Sequence, residues 1–302
     1  MNQRVDILAP HVVSPYEEMG AYEWLWTQSG TTFKRLAERF AAEMSAFPSA
    51  FADRNALLEH AAQCLQEVRA AGLNQFGVRL YGASEYPQRL RDAEHPVQFL
   101  YYVGHWNLIY DEPLVAVVGT RSPTDDGVKR TRNLVKQLVK DGCTIVSGLA
   151  AGIDTVAHTT AIEEKGSTIG VLGTPVTQSY PKSNADLQKT LGEDHLLVSS
   201  VPFVRYREMK DPRANRMFFP ERNKLMSALT NATVIVEASN TSGTLTQARA
   251  AIAQRRKLFI LESCFNRSDL TWPRRFEDQG AIRVRTYDDI RRVLLPDGPK
   301  QA

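Results

Sequence analysis

The sequence predicts an α/β protein: a doubly wound, mainly parallel, extended Rossmann-like sheet preceded by a small helical N-terminal domain. Three observations carry this reading. From Leu114 onward, apolar runs of strand length alternate with segments of helical period, a pattern that requires parallel strands covered on both faces. Four of the turns that follow these runs are built of glycine and small polar residues, as at the ligand edge of such a sheet. Before residue 75, by contrast, apolar residues recur at helical spacing.

The elements follow in order. Tyr16 to Gln28 carries Tyr22, Leu25 and Trp26, and Thr32 to Phe40 carries Phe33, Leu36, Ala37 and Phe40. Asn55 to Ala71 repeats the pattern through Leu57, Leu58, Ala61, Leu65 and Val68, with Gly72 as its stop. Residues 1–74 therefore read as a helical domain, 75–111 as a connector of mixed character, 112–296 as the Rossmann-like domain and 297–302 as a tail. The first strand is Leu114 to Val118, ending in Gly119, and its helix closes at Asp141-Gly142. Further strands are expected at Thr144–Val146, Thr168–Leu172, Leu196–Ser199, Val234–Val236 and Leu258–Leu261. Helices are expected between them at Ile153–Lys165, Asn184–Leu191, Asn223–Leu229 and Leu245–Arg255, with a last strand and helix at Ile282–Arg285 and Tyr287–Leu295.

Composition narrows the function classes. The chain has 302 residues, 43% of them hydrophobic, so a core of ordinary size needs no metal or disulfide staple. Its three cysteines are far apart and form no zinc spacing, no run of about 18 apolar residues occurs, and the N-terminus has no secretory pattern; a cytoplasmic protein is expected. The net charge of +3 hides an asymmetry, because residues 1–110 carry 9 Lys/Arg against 12 Asp/Glu. A polyanion would therefore be met by the second part of the chain.

The four turns are Gly119-Thr120-Arg121, Ser147-Gly148 through Gly152 to Asp154, Gly173-Thr174, and Ser242-Gly243-Thr244. Glycine lets a ligand approach the backbone, and free N–H groups at a helix start bind phosphate. The alternative is that these glycines only make tight turns. None forms a GxGxxG or GxxxxGK[ST] fingerprint. Arg121, at a helix entry, is placed for a phosphate; the alternative is a solvated surface arginine. The segment from Val204 to Lys224 holds seven Lys/Arg and three acids interleaved with Tyr206, Phe218 and Phe219. Such a segment releases counterions along a phosphodiester backbone and stacks bases on its rings, or it is a solvated loop whose phenylalanines enter the core. His158 reads as packed, Asp154 as a first-turn residue holding its loop, and Asp125-Asp126 as a helix start. No catalytic set, metal site or cofactor is expected.

Taken together, these motifs resemble the DprA/Smf family over about 80–265. The resemblance is carried by Val115-Ala-Val-Val-Gly119-Thr-Arg121, Ser147 to Asp154 with Ala157-His158, and Val171-Leu-Gly173 with Tyr180-Pro181 and Asn184. Phe219-Pro-Glu-Arg222-Asn223-Lys224, Val234 to Ala238 and Ser242 to Thr246 continue it. It implies a non-enzymatic, homodimeric binder of single-stranded DNA that protects the strand and loads a RecA-type recombinase during DNA uptake. It assigns backbone contact to Gly119, Thr120 and Arg121, charge to Arg216, and the remaining contacts to Phe219, Arg222 and Asn223. Lys224 stands where the family has a second arginine, the loop 201–218 is longer and more basic than in the family, and no winged-helix-like C-terminal domain is expected. Two other readings keep the fold: a sensor of a nucleotide or of foreign DNA, and a nucleotide phosphoribohydrolase. The second meets Thr244, Thr246 and Gln247 where its catalytic carboxylate would stand.

Overall fold

The structure is a computed structural model that describes residues 13–43, 47–83, 85–209, 214–296 and 298. Three helices open it: α1 (Pro15–Thr27), α2 (Phe33–Ala42) and α3 (Arg54–Ala70). Ser14, Thr32 and Asp53 cap them by accepting first-turn N–H groups. There follow β1 (Phe76–Leu80), α4 (Gln88–Arg91), β2 (Phe99–Gly104), β3 (Leu114–Val118), α5 (Asp125–Lys140), β4 (Thr144–Ser147) and α6 (Ile153–Glu163). Next come β5 (Thr168–Leu172), α7 (Ala185–Asp194), β6 (Leu196–Ser199), α8 (Phe203–Glu208), α9 (Phe218–Leu229) and β7 (Ala232–Ile235). The chain ends with α10 (Thr244–Ala253), β8 (Lys257–Leu261), α11 (Glu262–Phe265), α12 (Trp272–Glu277), β9 (Ile282–Val284) and α13 (Tyr287–Leu294).

Among the described residues, nine strands form one sheet in the order β1-β2-β6-β5-β4-β3-β7-β8-β9. The pairs β1/β2 and β2/β6 are antiparallel and the others parallel. β3 shows why its sequence is an unbroken apolar run. Val115 and Val117 pack on one side with Leu134, Val135 and Leu138 of α5 and Ala157 of α6. Leu114, Ala116 and Val118 pack on the other with Leu225 and Leu229 of α9 and Leu245 and Ala248 of α10. From β3 the chain winds outward through β4, β5 and β6, then returns to lay β7 on β3's other side. The strand order reverses at β3 and β7, which opens a crevice beyond their carboxyl ends.

Two expectations are revised. Residues 75–111, expected as a connector, supply β1 and β2 to the sheet edge. β2 is the apolar run Phe99 to Val103, whereas the pattern of β1 is broken by Arg79, its guanidinium 4.7 Å from the Tyr102 ring centroid and 4.9 Å from that of Trp106. α9 begins at Phe218 rather than Asn223, with Phe218-Phe219-Pro220 as its first turn, where proline's missing N–H costs no helical bond. The expected N-terminal helices are present, and their apolar faces are completed by β1 and β2. Tyr22 stacks on Phe99 at 4.8 Å. Met19, Leu25 and Trp26 share one core with Val78, Tyr101 and Phe203.

Glu23 fixes this junction. Fully buried on α1, its carboxylate accepts the Tyr101 hydroxyl and the N–H groups of Phe203 and Val204 at 2.9 and 2.8 Å. It thereby caps α8, where the basic segment begins. Burial raises its pKa, and the three hydrogen bonds act against that rise. Glu23→Ala leaves three buried donors without an acceptor, and should destabilise the protein by about 3 kcal/mol in urea unfolding.

Candidate nucleic-acid site

A cavity of about 260 Å³ lies in the crevice at the switch point. The turn after β3 contributes Gly119, Thr120 and Arg121, the start of α9 contributes Phe219, Arg222 and Asn223, and the turn into α10 contributes Ser242, Gly243 and Thr244. Asp154 of α6 also lines it. Ten of the fourteen residues singled out in the sequence are placed in this way or at its border: the nine above and Gly148, whose carbonyl holds Arg222.

Arg222 is only 6% exposed. Its Nη1 donates to the carbonyls of Gly148 and of Val171, the latter at 2.9 Å, and its Nε donates to Asn223 Oδ1 at 2.9 Å. The guanidinium occupies the space a side chain on Gly148 would fill, so any larger residue there would displace it. Burial lowers the Arg222 pKa, and the charge of Asp154 acts against it. Burial likewise raises the Asp154 pKa, against Arg222 and the N–H groups of Ala150 and Gly148. Those N–H groups donate to Asp154 Oδ2 at 3.4 and 3.2 Å. The Gly148 N–H, expected to hold a phosphate, is thus already engaged.

The turn after β3 is also braced. Thr120 N–H donates to the Glu237 carbonyl at 2.7 Å, and the Glu237 carboxylate accepts Thr124 N–H and the Thr124 hydroxyl, the latter at 2.9 Å. This carboxylate sits at the start of α5, where a dinucleotide's pyrophosphate is held in nucleotide-binding Rossmann domains. A phosphate there would meet a negative charge. On the facing turn, Thr244 Oγ1 donates to the Gly119 carbonyl at 3.2 Å, and Asn223 Nδ2 donates to the Gly243 carbonyl at 3.1 Å. Gln247, its amide turned to donate to the Asn223 carbonyl at 2.7 Å, accepts Ser227 N–H at 3.3 Å.

Arg121 is the exposed cation of the lining, and Phe219 is half-buried beside it. The Phe219 ring lies against Gly173, in the space that a side chain there would take. The Arg121 guanidinium is 5.8 Å from the ring centroid, and Arg121 is exposed with no ion pair among the described residues. Phe218, by contrast, is wholly buried, edge-on to Trp26 and Phe33 at 6.3 and 6.2 Å. Of the two phenylalanines, one enters the core and the other lines the cavity.

Four residues fall elsewhere. Ser147 is buried, its hydroxyl donating to the Val117 carbonyl at 2.7 Å. Gly152, with φ +81°, supports the turn from beneath, against the Thr120 carbonyl. Arg216 is exposed and outside the cavity lining. Lys224 pairs with Glu221 at 2.8 Å and lines a separate groove on the other flank of α9. Lys210, Asp211 and Arg213 of the basic segment lie outside the described residues. Sequence reasoning missed Glu237 as a brace and Tyr180 as a neighbour of Phe219, although both stand in the motifs that carried the resemblance. Among the described residues no group of three His, Cys, Asp or Glu could hold a metal ion, and no helix is long and apolar enough to cross a membrane.

The fold defines the class: a Rossmann-like α/β protein with a crevice at its switch point, the place where open sheets of this kind take up ligands. Comparison narrows the class. The family model for DNA recombination-mediator protein A matches residues 77–294, and the chain belongs to that family. It is a DprA-like DNA processing protein. It is 30% identical over 226 residues to DNA processing protein DprA of Bacillus subtilis, covering 75% of this chain and 73% of that one. It is 39% identical over 180 residues to protein Smf of a Synechocystis strain, a match that covers 59% of this chain and 44% of the relative's length. The X-ray structure of DprA from Streptococcus pneumoniae superimposes with a TM-score of 0.70 at 26% identity, over 92% of this chain and 97% of that one. DprA of Helicobacter pylori, studied for its single-stranded DNA binding mode, matches with a TM-score of 0.63 at 27% identity, over 76% of this chain and 99% of that one.

Close to the site, His158 is fully buried with Nδ1 2.7 Å from the Thr168 hydroxyl. Burial pushes its pKa down from 6.5 to about 3. Between those values the unfolded chain binds a proton that the folded chain refuses, so this residue's contribution to stability falls as pH drops below 6.5. Urea unfolding of wild type and His158→Gln at pH 7.5, 5.5 and 4.5 should show the wild type losing ground to the variant, at up to ~1.4 kcal/mol per pH unit below 6.5.

Proposed function

We propose that the cavity binds single-stranded DNA, with Arg121 on a phosphate and Phe219 under a base. The protein then acts in the cytoplasm as a non-enzymatic mediator, protecting the strand and delivering it to a RecA-type recombinase. The observation that carries the binding reading is the uncompensated Arg121 guanidinium held over the Phe219 ring, both beside a rigid, internally bonded floor. Charge and a π-face together suit a splayed strand, whose bases stack without sequence preference. Delivery to a recombinase and homodimerisation rest on family membership. Arg216 is exposed outside the cavity lining, and Lys224, paired with Glu221, lines the groove on the other flank of α9.

A hydrolytic role finds little support in the chemistry present. The lining contains one carboxylate, Asp154, and it is buried and held by two N–H donors. Gln247 is a neutral bridge between helices. The second reading, a nucleotide sensor, draws on the cavity's small volume and its place at the switch point. Glu237 at the start of α5 opposes a dinucleotide.

Salt dependence separates the two. Anisotropy of labelled oligo-dT should weaken steeply with salt for the wild type, and Arg121→Ala should flatten the slope by about 0.7 as one phosphate contact is lost. Phe219→Ala should cost roughly 1–3 kcal/mol of binding with the slope unchanged. Arg222→Ala should lose binding and folding stability together. A Phe219→Ala protein that binds like wild type, or a flat salt response, contradicts the reading.

A further inference from the structure

Tyr180 has no part in the site as the sequence describes it. It lies on the loop between β5 and α7, and its ring centroid is 5.4 Å from that of Phe219, with the planes at 42°. It is 47% exposed, a large value for a tyrosine in contact with a site ring, and its hydroxyl has no protein partner among the described residues.

The loop that carries it is held from both ends. Thr174 Oγ1 donates to the Gln178 carbonyl at 2.9 Å. The buried amide of Gln188, on α7, donates to the carbonyls of Val176 and Gln178 at 3.4 and 3.3 Å. The buried amide of Asn184 donates to the Leu149 carbonyl and to Thr155 Oγ1, both at 2.9 Å, which ties this loop to the one after β4. An exposed aromatic ring on a freely moving loop would lose its contact surface to motion, whereas here two buried amides fix the backbone that presents it. Phe219 and Tyr180 already touch, so no base fits between them. The open face of Tyr180 is the surface a further base can cover, next to the one on Phe219.

We propose that Tyr180 is a second base-stacking platform, so that the site takes up two neighbouring nucleotides of a single strand, one on Phe219 and one on Tyr180. This rests on the DNA-binding reading and extends it by one nucleotide. Stacking needs the ring and not the hydroxyl, so phenylalanine should replace tyrosine without loss.

The test uses the whole chain and oligo-dT carrying 5-iodouracil, which cross-links under light to a ring stacked on it. The cross-link should map to Tyr180 and to Phe219. Tyr180→Ala should weaken oligo-dT binding roughly five- to a hundredfold while Tyr180→Phe stays within about twofold. If the wild type binds oligo-dT and Arg121→Ala weakens it, but no cross-link reaches Tyr180, Tyr180 only supports the Phe219 ring and this inference is overturned by itself, even where Tyr180→Ala loses affinity. A wild-type chain that binds no oligo-dT at low salt overturns this inference and the DNA reading together.

Discussion

Three N–H groups of the buried Arg222 guanidinium find an oxygen within the protein, and the architecture of the site follows from where those oxygens lie. Its acceptors are the carbonyls of Gly148 and Val171, from strands or turns on β4 and β5, and the amide of its own neighbour Asn223. One buried side chain thus joins α9 to two strand ends. Asp154 supplies the opposing charge nearby and holds the turn after β4 through two N–H groups. Asn223 carries the connection on to the start of α10. These bonds tie the walls of the cavity to one another. Arg121 is the cation whose charge they leave uncompensated.

The N-terminal helices take part in the same arrangement. Adjacent residues on a helix point about 100° apart, so anchoring one fixes the direction of the next. Trp26 of α1 and Phe33 of α2 hold Phe218 in the core, and Phe219 is thereby turned to the cavity. Glu23 caps α8, and Arg207 at the far end of α8 pairs with Glu67 of α3. Both ends of α8 are thus fastened to the helical part. The helical part and the start of α9 share one core.

Much of the fold is legible in the sequence because strands covered on both faces must be apolar throughout. β3, β5 and β6 stand where their apolar runs lie, and the turns of glycine and small residues after β3 and β7 do border the cavity. In β1 the apolar pattern is broken by Arg79, a charged residue accommodated between aromatic faces, whereas β2 is the apolar run Phe99 to Val103, and its antiparallel place beside β6 appears only in the fold. Charge counting could not separate the cations of the segment 204–224. It treats Arg222, Lys224 and Arg216 alike, whereas the structure buries the first, pairs the second and exposes the third. Nor could adjacency in sequence tell Phe218 from Phe219, since the difference lies in what α1 and α2 pack against. Glu237 was legible as a motif residue, and its work as a brace appears only when β7 is laid beside β3.

Hydrogen–deuterium exchange of the full chain with and without oligo-dT tests the location of binding most directly. Binding at the switch point predicts added protection at residues 119–123, 172–182 and 240–246, with the α5 and α13 faces of the sheet unchanged. Protection confined to those faces, or to the groove lined by Lys34 and Arg249, would contradict a site built on Arg121 and Phe219.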